Sequence, residues 1–245
     1  GNYLMNNQLH IGILAAGKGS RMDSDLPKVL HKLNGKSLID YVLETASELN
    51  PKSTTLVVGF QKEIVKSHTQ SHSINYVSQD QQLGTGHAVL QMQHVLENKN
   101  GHLLVLYGDV PNIKSSSLIP IINEHIKQDQ NATIITALLP DATGYGRIIR
   151  NKNGQLLKVV EEKDCTESEK KIKEWNSGIY IFKIPHLFNE LKKIKSNNAS
   201  NEYYLTDVVE LIAKHTPVQA KIIQDASELI GINTIDQLGS LENNI

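Results

Sequence analysis

A chain of 245 residues with 39% hydrophobic and 21% charged side chains has room for one large α/β domain or two small ones. Its formal net charge of −1 supplies no general basic footprint for nucleic acid, so any binding of phosphate has to come from a local cluster. Cys165 is the single cysteine, which excludes an internal disulfide, and no apolar run is long enough to span a membrane. The expectation is a cytoplasmic protein with neither nucleic-acid nor membrane partners.

In chain order, the apolar run 10–14 reads as a buried first strand. It feeds the glycine-rich basic stretch Leu14-Ala15-Ala16-Gly17-Lys18-Gly19-Ser20-Arg21-Met22, followed by Pro27-Lys28. Such a loop offers backbone N–H groups and cations to a phosphate chain. It lacks the P-loop spacing, and Met22 stands where a dinucleotide fingerprint needs its third glycine. A polyphosphate loop of another type remains, with Lys18, Arg21 and Lys28 to neutralise charge. Further strands are expected at 54–59, 73–77, 102–107 and 132–138, and helices at 37–49, 61–67, 84–96 and 115–127. Repeated β-then-α units imply a mostly parallel sheet covered on both faces, with ligands at the carboxyl ends of its strands.

Past Gly144 the rhythm changes. Residues 146–150 and 155–161 read as a hairpin turned at Asn151-Lys152-Asn153-Gly154, followed by a polar helix near 166–173 and a strand at 179–182. Helices at 185–194 and 205–214, a strand at 217–223 and a closing helix at 234–243 complete the pattern. The chain reads as one mixed-sheet domain over 1–245 carrying an insertion from about 140 to 205.

Four more segments carry chemistry. In Gln79-Asp80-Gln81-Gln82-Leu83-Gly84-Thr85-Gly86-His87, glycines admit close backbone approach and a glutamine amide can pair with a base edge. The strand ending Tyr107-Gly108-Asp109 places a carboxylate where it can hold a hard cation such as Mg²⁺. Gly144-Tyr145-Gly146-Arg147, Val160-Glu161-Glu162-Lys163 and Asn176-Ser177-Gly178 bring short polar groups beside glycines, which suits sugar hydroxyls. Gly231-Ile232-Asn233 precedes a helix, and Asn233 offers a second metal oxygen. Taken singly, each also has a plainer reading. Gly17 and Gly19 can make a tight turn, Asp109 beside Val110-Pro111 can be a turn residue, and Gln79 can be surface polar. Glu161 to Lys163 can be a solvated charge run, and Asn233 a helix cap. His87 reads as packed or exposed rather than catalytic, the ten histidines show no zinc-ligand spacing, and Cys165 shows no activating partner.

The joint pattern is more specific. LAAGKGSRM, LPKVLH, QLGTGHAV, LYGDVP, GYGRI, VVEEKD, NSGIYIF, NEYYLTDVV and GIN occur in that order from Leu14 to Asn233. Together they closely resemble the bacterial N-acetylglucosamine-1-phosphate uridyltransferases, the pyrophosphorylase half of the bifunctional enzymes that also acetylate glucosamine-1-phosphate. The resemblance implies a Rossmann-like, doubly wound mixed sheet of the nucleotide-diphospho-sugar transferase type. It implies a Mg²⁺-dependent reaction of UTP with N-acetylglucosamine-1-phosphate, giving UDP-N-acetylglucosamine and pyrophosphate. Carried over, Leu14, Ala15, Ala16 and Gly17 line the nucleotide, and Gln79, Gly84 and Thr85 read uracil. Tyr107, Gly108 and Asp109 hold the ribose side and the metal, while Gly146, Glu161 and Asn176 hold the sugar. Asn233 touches the nucleotide-sugar and completes the metal site with Asp109. Arg21 and Lys28 bind the phosphates as the catalytic cations.

Ser20 and Ser177 stand where threonine is common, keeping the hydroxyl. The chain stops soon after Asn233 and shows no hexapeptide repeat. The expectation is therefore that the left-handed β-helix acetyltransferase half is absent, acetyl transfer with it, and that the protein is a monomer or weak dimer. Two other readings stay open: a related nucleotidyltransferase for another sugar-1-phosphate or NTP, and an inactive sugar-nucleotide-binding module. Retention of Gln79, Glu161 and Asn176 argues against the first, and retention of Arg21, Lys28 and Asp109 against the second.

Overall fold

The computed structural model describes residues 8–18, 25–196, 201–232 and 239. Strand β1 spans Leu9–Ala15. A 3₁₀ turn at Lys28–Leu30 and the two-residue strands β2, Lys32–Leu33, and β3, Lys36–Ser37, lead into helix α1, Leu38–Glu48. The Ser37 hydroxyl caps α1 by accepting from Asp40 N at 3.3 Å. Next come β4, Ser53–Val58; α2, Lys62–Thr69; β5, Asn75–Ser78; α3, Thr85–Leu90; and α4, Gln93–Leu96. Then follow β6, His102–Tyr107; α5, Ser115–Lys127; β7, Ala132–Leu138; β8, Arg147–Arg150; and β9, Leu156–Val160. Strand β10, Glu174–Lys183, helix α6, Ile184–Leu191, helix α7, Leu205–His215, and strand β11, Gln219–Ile222, close the series.

The main sheet runs β11-β7-β10-β6-β1-β4-β5, with the β8–β9 hairpin attached to β10. Strands β6, β1, β4 and β5 run parallel to one another, whereas β10 runs antiparallel to both β6 and β7. The chain leaves β1 toward β4 and β5, then returns to β6 on its other side. The carboxyl ends of β1 and β6 thus flank a topological switch point, where open α/β sheets bind ligands. Alternation along β6 explains the layers. Leu104 and Leu106 pack with Ile39 and Val42 of α1 and Leu118 and Ile122 of α5. Leu103 and Val105 face the opposite layer of Val89, Leu187 of α6 and Val209 of α7. This is the doubly wound mixed sheet the sequence implied.

Three expectations need correction. The helix placed at 84–96 is two short helices. A turn at Gln91-Met92 lays the Met92 side chain over Gly12 of β1, where an added Cβ would stand 2.6 Å from the methionine Cε. The polar helix near 166–173 is only a 3₁₀ turn at Glu169–Lys171, because it has no apolar face to bury. The strand at 179–182 begins five residues earlier, at Glu174, and is broken by a register shift between Asn176 and Tyr180. The closing helix at 234–243 lies, save for residue 239, outside the described residues. Among the described residues no helix is long and apolar enough to cross a membrane.

Candidate active site

The first glycine loop and the end of β6 meet at one point. Gly108 N donates to Leu14 O at 2.9 Å, and a Cβ on Gly108 would stand 2.8 Å from Val29 Cγ1 and 3.3 Å from Ala15 Cβ. Only glycine lets the two strand ends close up. Just beyond them, Lys28 Nζ lies 2.8 Å from Asp109 Oδ2, with the two side chains 18% and 20% exposed. Gly231-Ile232 docks on the same carboxylate-bearing turn, as Ile232 N donates to Asp109 O at 2.9 Å. Arg21 and Asn233, the other two residues expected here, lie outside the described residues.

A cavity of about 250 Å³ opens at the switch point, lined among others by Leu14, Ala15, Ala16, Gly17, Lys28, Gln79, Gly84, Thr85, Tyr107 and Asp109. The structure therefore brings most of the residues expected at the nucleotide around one space. Gln79 is buried at 3% exposure. Its Nε2 donates to Gly84 O at 3.1 Å and lies 3.0 Å from His87 Nδ1. Burial holds the His87 imidazole below its ordinary pKa. Gly84 adopts φ +99°, and a Cβ there would meet Tyr203 O at 2.5 Å. That close approach is a ladder: Tyr203 N donates to Leu83 O at 2.7 Å, Gly86 N to Tyr203 O at 2.8 Å, and Leu205 N to Thr85 Oγ1 at 2.9 Å. The QLGTGHAV and NEYYLTDVV stretches are thus one structural unit, and α7 starts from it.

A second cavity, of about 1100 Å³, adjoins the first and shares Thr85 and Tyr107 with it. Glu161, Ser177, Gly178, Tyr180, Thr206, Asp207 and Glu210 are on its wall. Gly146 sits behind Glu161: a Cβ there would lie 3.3 Å from both carboxylate oxygens. Asn176 N donates to Gly146 O at 2.9 Å, which joins the three residues expected at the sugar. The Asn176 amide, however, is engaged within the protein. Its Oδ1 accepts from Gly178 N at 2.9 Å, and its Nδ2 donates to the Tyr180 hydroxyl at 3.0 Å. The Tyr107 hydroxyl donates to Gly178 O at 2.7 Å, tying the end of β6 to the irregular part of β10. Buried Arg147 holds the loop before β8, donating to Tyr145 O at 2.7 Å and pairing with Glu162.

The wall is electrostatically loaded. Partial burial, and secondarily Asp164, pushes the Glu161 pKa up, with Lys163 opposing. Burial raises Asp207, and it raises Glu210 against the stabilising Val159 N–H. Burial drives the Tyr107 phenol well above its ordinary value and Tyr180 to about 12. Both phenols stay protonated and act as hydrogen-bonding groups. Among the described residues no three His, Cys, Asp or Glu side chains gather as a protein-only metal cage.

Sequence reasoning missed Gln82, whose Nε2 donates to Ala16 O at 3.0 Å. It also missed Gly59, where a Cβ would fall 2.8 Å from that same carbonyl. Asp207 and Glu210 were missed too; their three-residue spacing, which puts both carboxylates on one face of α7, was the available signal. The nucleotidyl transferase family model matches residues 12–230.

The chain belongs to the nucleotidyl transferase family. It is 46% identical over 231 residues to the bifunctional protein GlmU of Streptococcus pyogenes serotype M3, and 44% over 230 residues to that of Clostridium botulinum (strain Eklund 17B / Type B). Both alignments take in 94% of this chain and 50% of the relative, so this nucleotidyl transferase spans about half the length of the curated relatives it matches. The motif-based resemblance is borne out. A crystal structure of UDP-glucose pyrophosphorylase complexed with UDP-glucose shares the fold, with TM-score 0.77, 20% identity and coverage of 97% and 98% of the two chains.

Proposed function

We propose that this nucleotidyl transferase transfers UMP from UTP to N-acetylglucosamine-1-phosphate, releasing pyrophosphate. The observation that carries the reading is the junction of two cavities at Thr85 and Tyr107, with Lys28 and Asp109 on the wall of the first. The smaller cavity takes the nucleotide, with Gln79, Gly84 and Thr85 at the base and residues 14–17 beneath it. The larger takes the sugar, with Glu161 on its wall and the region 140–205 supplying most of that wall. The 46% identity to bifunctional relatives supports UTP and N-acetylglucosamine-1-phosphate over other pairs.

The nucleophile is a phosphate oxygen of the sugar-1-phosphate. A phosphate monoester is largely dianionic at pH 7, so no general base is required. That oxygen forms a bond to the α-phosphorus of UTP as the bond to the bridging oxygen of pyrophosphate breaks, and the electron pair leaves with pyrophosphate. Positioning and cations then do most of the catalysis. Lys28 supplies one fixed positive charge; Arg21 is proposed as a second. Asp109 is a fitting donor for Mg²⁺, which binds through one or two carboxylates plus substrate phosphates and water rather than a protein cage; Asn233 is proposed as its partner. When bound, Mg²⁺ neutralises charge on the phosphates. Lys28, now 2.8 Å from Asp109, would give its charge to a substrate phosphate once that carboxylate held the metal. The test is pyrophosphate release with UTP and N-acetylglucosamine-1-phosphate, with and without Mg²⁺. Metal-dependent release with that pair supports the reading, and release only with another pair overturns the assigned specificity.

A further inference from the structure

We infer that Glu228 is a positioning residue for the proposed metal site: it fastens the turn that carries Asp109 to the segment that leads into Asn233. The inference rests on the proposed uridyltransferase reading and deepens it. Glu228 lies in a 3₁₀ turn at Ala226–Leu229 and is buried at 4% exposure. A carboxyl group so placed needs partners for both oxygens. Its Oε1 accepts from Lys114 N at 2.9 Å, and its Oε2 from the Ser117 hydroxyl at 2.8 Å. Both donors belong to the start of α5, whose N-cap residue, Lys114, makes no side-chain capping bond. Glu228 supplies that cap from more than a hundred residues away, at the helix end where the backbone N–H groups and the dipole favour an acidic group.

The contact closes a ring of short links. Asp109 sits in the turn after β6, and the chain runs from it through Val110 to Lys114 straight into α5. Glu228 grips that helix start. Further along the same segment, Ile232 N donates to Asp109 O at 2.9 Å. The loop that carries Asp109 is thus held at both of its ends by one stretch of chain. A single hydrogen bond fixes a distance and leaves rotation about it; a second tie, at the other end of the loop, removes that freedom. Apolar packing does not replace it. Leu229 and Ile232 are buried in two different clusters, and such packing has no direction of its own. Asn233 follows Ile232 directly. The spacing of the two oxygens proposed for the metal therefore depends on a carboxyl group that touches neither metal nor substrate. Magnesium demands near-ideal geometry from its few protein ligands, so loosening this tie should weaken its binding.

The experiment saturates the protein with UDP-N-acetylglucosamine, the proposed product, and titrates Mn²⁺, with the free ion read from its EPR signal. Glu228→Ala should weaken Mn²⁺ binding about tenfold, the lower end of what groups behind metal ligands contribute. Glu228→Gln should stay within about twofold of the unaltered protein, because its carbonyl can accept from Lys114 N and its NH₂ can donate to the Ser117 oxygen. In pyrophosphate release the half-saturating Mg²⁺ concentration should rise in Glu228→Ala, while KM for N-acetylglucosamine-1-phosphate should not. A Glu228→Ala protein that loses thermal stability yet binds Mn²⁺ as before has lost only structure and overturns the inference. An equal loss of Mn²⁺ binding in Glu228→Gln overturns it too. If Glu228→Ala does not accumulate as folded protein, Ser117→Ala removes one of the two bonds. Mn²⁺ binding should then weaken about threefold, and unchanged binding overturns the inference. Failure of the functional reading looks different: the unaltered protein would then take up no Mn²⁺ with the nucleotide sugar present.

Discussion

Adding one methyl group at Gly146 should selectively weaken binding of the sugar phosphate. The new Cβ of Gly146→Ala would lie 2.9 Å from Val159 Cγ1 and 3.3 Å from both oxygens of Glu161. Val159 is 8% exposed and belongs to the β8–β9 ladder opposite Ile148, so it yields only by tenths of an ångström. The Glu161 carboxylate ends a flexible stem at the cavity wall and moves instead. A charge-assisted hydrogen bond contributes about 1.5–3 kcal/mol. Glu161 is open to solvent, so the lower end applies, and about 1.5 kcal/mol is roughly a tenfold rise in KM. The loss falls on binding common to ground and transition states, so kcat should change little. Steady-state kinetics with saturating UTP and varied N-acetylglucosamine-1-phosphate reads this directly. An unchanged KM for the sugar phosphate, or a rise of the same size for UTP, would refute the placement of Glu161 at the sugar.

Lys28→Ala should lower kcat by on the order of a hundredfold, about 3 kcal/mol of transition-state stabilisation by analogy with lost oxyanion donors. Its melting temperature should stay close to that of the unaltered protein, because the ion pair with Asp109 is partly exposed; near-normal turnover would remove Lys28 from the mechanism. Tyr107→Phe deletes the bond to Gly178 O and should cost about 1 kcal/mol in urea unfolding. It should also raise KM for the sugar phosphate more than for UTP, and equal kinetics for both would show that the tie does not reach the sugar cavity. At the far end of the sheet, His102 Nδ1 lies 2.9 Å from His125 Nε2, and burial pushes the two to about 4 and about 3. Both pKa values are depressed in the folded state, so the unfolded chain takes up more protons as pH falls below about 6.5 and stability drops through that window. From pH 7 to pH 5 each histidine should cost about 2 kcal/mol, and His125→Gln should show the smaller loss in urea titrations at the two pH values. Identical losses would contradict the neutral pair.

Much of this architecture was legible because burial repeats with simple periods. The 102–107 run alternates between two layers of core, and residues 10–14 form the interior strand beside it, since both are apolar on both faces. The glycine motifs were legible as loops, but their reasons were not. Gly84 answers to Tyr203, more than a hundred residues away, and Gly108 to Val29 and Ala15. Such close approaches leave only a glycine in the sequence and no mark of the partner. The helix at 84–96 was misread because its apolar spacing runs on past Gln91-Met92, while the turn there is set by the space above Gly12. Asn176 N bonds Gly146 O, so the two stand together, yet the Asn176 amide is engaged with Gly178 and Tyr180, a consequence of the break in β10 that local sequence does not encode. Asp207 and Glu210 looked like the polar face of an amphipathic helix. Only the packing of α7 beside β9 turns that face into a cavity wall.

The proposed reaction joins UMP to a sugar phosphate across two adjoining cavities. Pyrophosphate release from UTP and N-acetylglucosamine-1-phosphate, measured with Mg²⁺ present and chelated and against panels of other NTPs and sugar-1-phosphates, tests it most directly. The expected result is fast release that requires the metal and is confined to that pair. Folded protein that releases no pyrophosphate with any pair would contradict it.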